Sequence, residues 1–194
     1  MPYLSPPTLT QDEQETLLAA SSAHPRDHLI LSLALGTALR LAELVGLNVG
    51  DLYFPGGKPR SRMRLRREIA KCGRGGDVFL PDALRPKLVA FRSYKVRNGE
   101  SVSPYAPLFC SQTGSRISKR RVQTLFKQWQ ERAGFDRHYG IHALRHSAVT
   151  NVYRASRDLF LAQRFARHAS PLTTIIYTWP SDQELYRGIR ELHC

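Results

Sequence analysis

Three clusters of polar residues stand out by type and spacing. Arg40 follows an apolar stretch and precedes Leu41, Leu44 and Leu47, with Glu43 three residues on, the helical spacing at which a carboxylate holds a guanidinium. Taken alone, Arg40 reads as a surface arginine on a loop, because arginine is rarely buried unpaired. The second cluster is Ile141-His142-Ala-Leu-Arg145-His146-Ser147. There His142 and Arg145 form an i, i+3 pair at the start of a helix, facing one way beside its positive end, which makes a plausible anion site. The third is Arg167-His168-Ala-Ser-Pro-Leu-Thr-Thr-Ile-Ile-Tyr177, a histidine nine residues ahead of a tyrosine. His142 and His146 also stand at the i, i+4 spacing of a helical zinc pair, but the glutamate of HExxH is missing and no carboxylate lies near, so no metal site is expected. A Ser–His hydrolase has still less support, since the chain has no GxSxG turn.

The elements that must position these residues read as mainly α with a small antiparallel β-sheet, an α+β fold. Thr10-Gln-Asp-Glu13 has the form of a capping box opening a helix to about Ala20. Pro25 begins a second helix through Leu35, apolar nearly all round and therefore central to the core, with Gly36 expected to break it. A short helix follows at Leu41–Val45. Met63–Ile69 and Val78–Leu80 read as strands joined by a Gly-rich turn, with a third strand at Pro107–Cys110. Pro81-Asp82 starts a helix to about Val96. Ser118 caps another to Ala133, closed by Gly134, with Val122, Leu125, Phe126 and Trp129 as its apolar stripe. Further helices are expected over 142–153, 158–167, 171–177 and 181–191. With no convincing linker, a single domain over 1–194 is the simplest reading.

Charge narrows the partner. Twenty-nine Lys plus Arg against sixteen Asp plus Glu give a net +13 in 194 residues, a surplus that points to a polyanion, nucleic acid before others. Arg116, Lys119, Arg120 and Arg121 gather at one helix start, where side chains and helix end can both meet phosphate; the alternative is a solvated charged terminus. No apolar run reaches the ~18 residues of a membrane span, and no basic-then-apolar leader is present. Cys72, Cys110 and Cys194 are an odd number without CxxC spacing, which speaks against a disulfide scaffold or zinc ribbon and for a reducing cytoplasm.

Arg40 within TALRLAEL, Lys71 in a hairpin turn (IAKCGRGGDVFLP), His142-x-x-Arg145, His168 and Tyr177 occur in an order and spacing that resembles the catalytic domain of the tyrosine recombinase (phage integrase) family. Each motif alone is weak; five in order are specific, and they cover nearly the whole chain. The resemblance implies site-specific recombination of double-stranded DNA, cut and rejoined through a 3′-phosphotyrosyl bond without ATP, metal or other cofactor. It implies Arg40 and Arg145 as a phosphate clamp, His168 as a third donor, Tyr177 as nucleophile, His142 as its base, Lys71 as the acid that protonates the leaving 5′ oxygen, and Glu43 as support for Arg40. Arginine suits such a clamp because its fixed donors match phosphate bidentately. Arg67 and Arg74, the rivals of Lys71, would be poor acids because guanidinium hardly deprotonates. The structural alternatives are a core tyrosine at 177 and a solvated turn lysine at 71.

The chain also departs from the family. Where LGH is usual it has Arg167-His168, an arginine either tolerated there or adding a phosphate contact, and Gly76 stands where a basic residue is common in the hairpin. A helical core-binding domain of roughly a hundred residues usually precedes the catalytic domain; here the chain starts almost at the latter, as a truncation or as a natural single-domain member like the fimbrial-switch invertases. By resemblance four protomers assemble on two DNA sites, with the tail ending at Cys194 docking on a neighbour, in a cytoplasmic, nucleoid-associated protein. The alternatives are a relaxing topoisomerase or telomere resolvase, and a DNA-binding accessory relative without catalysis.

Overall fold

Local capping chemistry sets the first helix of the computed structural model, which describes residues 6–73, 75–179, 185–186 and 189–190. Thr10 Oγ1 accepts the Glu13 N–H at 3.1 Å and Glu13 returns a carboxylate oxygen to the Thr10 N–H at 2.7 Å, opening α1 (Gln11–Ser21) as the sequence predicts. Helix α2 (Pro25–Thr37) is buried on nearly every side through Leu29, Ile30, Leu31, Leu33 and Ala34, and it packs against α1, α5 (Leu84–Arg97) and α7 (His142–Ser156). Gly36 does not break it. A Cβ at Gly36 would meet the Leu84 side chain at 3.3 Å, so that glycine serves close approach to α5. The helix ends instead at Ala38, which takes the left-handed conformation with φ +49°.

The chain then makes α3 (Leu41–Gly46) and α4 (Val49–Leu52), the second not foreseen, before a two-stranded antiparallel sheet of β1 (Arg62–Arg64) and β2 (Asp77–Phe79) in the register Met63 opposite Val78. The first strand is shorter than its sequence suggests. Beyond Leu65 the backbone turns, with Ala70 N–H donating to Arg66 O, and the Arg66 guanidinium is fixed by Asp51 and the Gly46 carbonyl. The third strand at 107–110 is absent as a strand, leaving isolated bridges of Asn48 with Pro107 and Cys110 with Arg116. Two of its carbonyls are taken by the fully buried Lys95, whose ammonium donates to Glu100, Pro107 O and Leu108 O. Helix α5 begins at Leu84, since Pro81–Ala83 form a turn.

Ser118 caps α6 (Lys119–Arg132) by accepting the Arg121 N–H, and the apolar stripe Val122, Leu125, Phe126 and Trp129 is buried as expected. Trp129 Nε1–H donates to Asp27 on α2 at 3.1 Å, satisfying both buried polar groups. Then come α7, α8 (Leu159–Ala166) and α9 (Leu172–Ile175). The helix read over 181–191 and the docking tail lie mostly outside the described residues. Two apolar clusters result. The larger centres on α2 with Phe91, Phe109 and Phe126; the smaller joins Ala38, Ala148, Val149, Ala162, Ala166 and Tyr177. Among the described residues no helix is long and apolar enough to cross a membrane.

Candidate active site

Two helix C-termini create the site. Helix α2 ends at Ala38 and α8 at Ala166, and both chains leave through a left-handed residue, Ala38 at φ +49° and Arg167 at φ +56°. Arg145, one turn into α7 and 7% exposed, donates to the carbonyls of Ala38 and Ala166, placing its charge where two helix dipoles are negative. Burial, then the Arg40 and Arg167 cations, lower its pKa to about 10, against the pull of Glu43 and Tyr177; it stays protonated at neutral pH.

Arg40 occupies the N-cap of α3. Its backbone N–H donates to Glu43 Oε2 at 2.8 Å and its guanidinium to Glu43 Oε1 at 2.9 Å. Glu43 is itself buried, at 1% exposure, and its Oε2 also accepts from Arg167 at 3.1 Å. Arg167 donates further to Thr37 O, Phe165 O and Ala38 O. One carboxylate thus ties two arginines together beside a third. The sequence offers Arg167 as a phosphate contact; in this structure its guanidinium is turned inward onto Glu43 and backbone.

His168 follows Arg167, its Nδ1 2.9 Å from Thr174 Oγ1. Burial and the cations of Arg145, Arg40 and Arg167 push its pKa down to about 4, so the ring is neutral at physiological pH. Tyr177, 5% exposed, lies just beyond α9 with its ring among the alanines of the smaller cluster. It stacks on His168, centroids 6.0 Å apart, and also meets the His146 ring at 5.5 Å. Its hydroxyl lies 2.7 Å from His146 Nδ1. Burial raises the phenol pKa while Arg145 and Arg40 oppose the rise.

The remaining residues line the mouth. Lys71 is exposed on a 3₁₀ turn, Lys71–Gly73, and faces a cleft bounded by Arg40, Glu43, Arg167, His168 and Thr173. That turn is set by close backbone packing: a Cβ at Gly75 would fall 2.6 Å from Leu65 O, and Ile69 fills the space over Gly46. A second cleft shares Arg40, Glu43 and Lys71 and is completed by His142 and Lys119. The structure therefore brings Arg40, Glu43, Lys71, His142, Arg145, His168 and Tyr177 to one place.

Besides Arg167, it differs from the sequence reading in two respects. His142 is exposed at the start of α7, and the group in contact with the Tyr177 hydroxyl is His146, seen in the sequence only as half of a zinc pair. The signal was available: His146 sits one turn after His142, on the same helix face. Among the described residues nothing joins the two histidines into a group of three or more metal-ligating side chains. Arg116 does not stand free with Lys119, Arg120 and Arg121. Its guanidinium donates to Val45 O, Leu47 O and Asn48 Oδ1, bracketing α3 and α4 to the loop before α6.

Comparison with known proteins identifies the family and the fold. Residues 7–184 match the model of the phage integrase family. The chain is 33% identical over 184 residues to the tyrosine recombinase XerC of Vibrio vulnificus (strain YJ016), covering 93% of this chain and 55% of that protein. It is likewise 33% identical over 192 residues to that of Haemophilus influenzae (strain PittEE), covering 97% and 61%. The chain thus spans little more than half the length of these relatives. Among solved structures, that of XerA recombinase superposes with a TM-score of 0.78 at 24% identity, over 100% of this chain and 66% of that one. The XerH site-specific recombinase bound to a palindromic difH substrate gives 0.78 at 24% identity, over 97% and 54%. On the family match, the motif order and the shared fold, this chain belongs to the phage integrase family.

Proposed function

We propose that this chain is a single catalytic domain that breaks and rejoins double-stranded DNA in site-specific recombination, with Tyr177 as the nucleophile. The observation that carries the reading is the placement of the Tyr177 hydroxyl within the field of Arg40 and Arg145, beside His168 and a cleft lined by Lys71. Related recombinases have been solved with DNA, XerH among them. The net charge of +13 suits the same partner.

In this mechanism a phosphodiester enters the cleft and its non-bridging oxygens accept from Arg40, Arg145 and His168. Arg145 spends two donors on carbonyls, so other N–H groups of its five remain for phosphate. Thr174 donating into His168 Nδ1 leaves Nε2–H as the donor toward substrate. Preorganised donors of this kind are the largest part of such catalysis, since the charge on phosphorus oxygens grows in the transition state. Tyr177 Oη bonds to phosphorus, the P–O5′ bond breaks, and Lys71 gives the leaving oxygen its proton. The phosphotyrosyl ester keeps the diester's bond energy, so attack by another 5′-hydroxyl reseals the strand without a cofactor. Exchange between two sites would need four copies of the chain. Lys119, Arg120 and Arg121, all exposed, are the phosphate contacts we assign to α6.

The test is covalent trapping. The protein is mixed with nicked suicide duplexes tiled from the DNA that flanks its gene and run on a denaturing gel beside Tyr177→Phe. A slow-migrating adduct lost in the variant supports the reading. An adduct that survives Tyr177→Phe removes Tyr177 from its role, and salt-sensitive DNA binding without any adduct replaces the enzyme with an accessory binder.

A further inference from the structure

We infer that His146, and not His142, is the base that takes the proton from Tyr177. This deepens the reading of Tyr177 as nucleophile and rests on it. His146 Nδ1 lies 2.7 Å from the phenol oxygen, inside the reach required of a general base. Among the described residues no other hydrogen-bond partner meets that oxygen. His142 is one turn nearer solvent and opens instead on the cleft of Arg40, Lys71, Lys119 and Gln123.

The surroundings of His146 suit it to accept a proton. Its half-buried ring faces His142 and Arg145 from its own helix, His168 from the segment after α8, and Tyr177 from the segment after α9. Burial and the two α7 neighbours hold its pKa below the usual histidine value, so it is neutral, with a lone pair free, at physiological pH. Tyr177, whose pKa is raised, is protonated in the same range. The resting pair is therefore a phenol donating to a neutral imidazole, the tautomer being Nε2–H. When a phosphate enters beside Arg145, its negative charge offsets the cations that disfavour imidazolium, and proton transfer becomes favourable only with substrate in place. The step balances: the Oη–H bond breaks as Nδ1–H forms, the P–Oη bond forms as P–O5′ breaks, and the 5′ oxygen takes its proton from Lys71. Rejoining runs the same transfers backwards, with the His146 imidazolium returning the proton to the leaving phenolate.

Single-turnover adduct formation on the nicked suicide duplexes, followed from pH 5 to 9, tests this. In His146→Gln the amide oxygen still accepts the phenol hydrogen bond but cannot carry a proton away. We expect adduct formation about 10² to 10⁴-fold slower, with the acidic limb of the pH–rate profile gone and duplex binding unchanged. His146→Ala should regain part of its rate with added imidazole, a response a folding defect would not give. His142→Gln should keep the acidic limb. A His146→Gln rate within about threefold of wild type with the limb intact, or a limb lost in His142→Gln, overturns the assignment. Failure of wild type to form any adduct overturns the nucleophile reading itself, and the base with it. An adduct lost in Tyr177→Phe but kept at full rate in both His146 variants overturns the base alone.

Discussion

Replacing Arg167 separates the two structural effects it combines. Its backbone is left-handed at φ +56°, a conformation that a residue with a Cβ adopts at a cost of about 1 kcal/mol relative to glycine. Its guanidinium, 13% exposed, holds buried Glu43 at 3.1 Å and three carbonyls at 3.2–3.3 Å, while its Nε has no partner. Removing the side chain loses one charge-assisted hydrogen bond, about 1.5–3 kcal/mol, and three long neutral ones at about 0.5 kcal/mol each. It regains about 1 kcal/mol by freeing the buried Nε. Glu43 keeps Arg40, so the larger penalty of an uncompensated buried charge does not apply. Arg167→Gly, which also relieves the backbone, should lose about 1–2.5 kcal/mol and melt about 2–10 °C lower. Arg167→Ala loses the same contacts without that relief and should be about 1 kcal/mol less stable than the glycine variant. Urea denaturation at pH 7 reads both, provided the slope with denaturant is unchanged. Equal stability of the two variants would refute the backbone argument. A glycine variant as stable as wild type would refute the account of the Glu43 contact. The salt slope of DNA binding should be the same in all three proteins, because the side chain is turned inward; a slope reduced by about one would show that it meets phosphate.

Three further outcomes are expected. His168, with its pKa near 4 in the folded chain and near 6.5 unfolded, binds more protons in the unfolded state between those values; stability is fully present above about pH 6.5 and is lost as pH falls toward 4, and His168→Gln should flatten that fall in a pH series of melts. Arg116→Ala should lower stability by about 1–3 kcal/mol with the salt slope of DNA binding unchanged, whereas each of Lys119→Ala, Arg120→Ala and Arg121→Ala should leave stability within about 0.5 kcal/mol and reduce that slope by about 0.9; the opposite pattern would exchange their roles. Lys71→Ala should abolish cleavage of an ordinary duplex but cut one whose bridging 5′ oxygen is sulfur, because a thiolate, with a thiol pKa of about 8.5, leaves without an acid; equal loss on both substrates would remove Lys71 as the proton donor.

What the sequence disclosed and what it withheld divide along physical lines. Thr10 with Glu13, and Ser118 before α6, are cap signals complete within four residues, so both helix starts were legible. The motif order, and with it the fold class, was legible because residue types that handle phosphate are few. Tertiary placement was not. Gly36 looked like a stop because a glycine in a helix usually marks one, yet it admits Leu84, and the true stop at Ala38 has no glycine to announce it. The strand at 107–110 has the right residues, but a buried lysine from α5 claims two of its carbonyls. The carbonyl partners of Arg116, which is exposed, and of Arg167 were not legible, because a sequence does not say which carbonyls lie within reach of a guanidinium.

The inward turn of Arg167 bears on how the site holds its charge. Arg40, Arg145 and Arg167 surround the single carboxylate of Glu43, and Arg145 is nearly dry. Such a surplus would be untenable in an apolar pocket. Here the balance is made up by carbonyl oxygens at the ends of α2 and α8, with Ala38 O accepting from both Arg145 and Arg167. Carbonyls offset a cation partly but not wholly, so the cluster still repels itself, and this repulsion adds to burial in holding Arg145 and His168 below their ordinary pKa values. The left-handed exits at Ala38 and Arg167 turn the chain away just where those carbonyls must point inward, and continuing either helix would consume them in the next turn's hydrogen bonds. A site short of negative charge by this construction is complete only when an anion enters it. On the reading proposed above, a phosphodiester that enters relieves the repulsion that adds to burial in lowering the histidine pKa values, which couples its binding to the readiness of the Tyr177–His146 pair through Arg145.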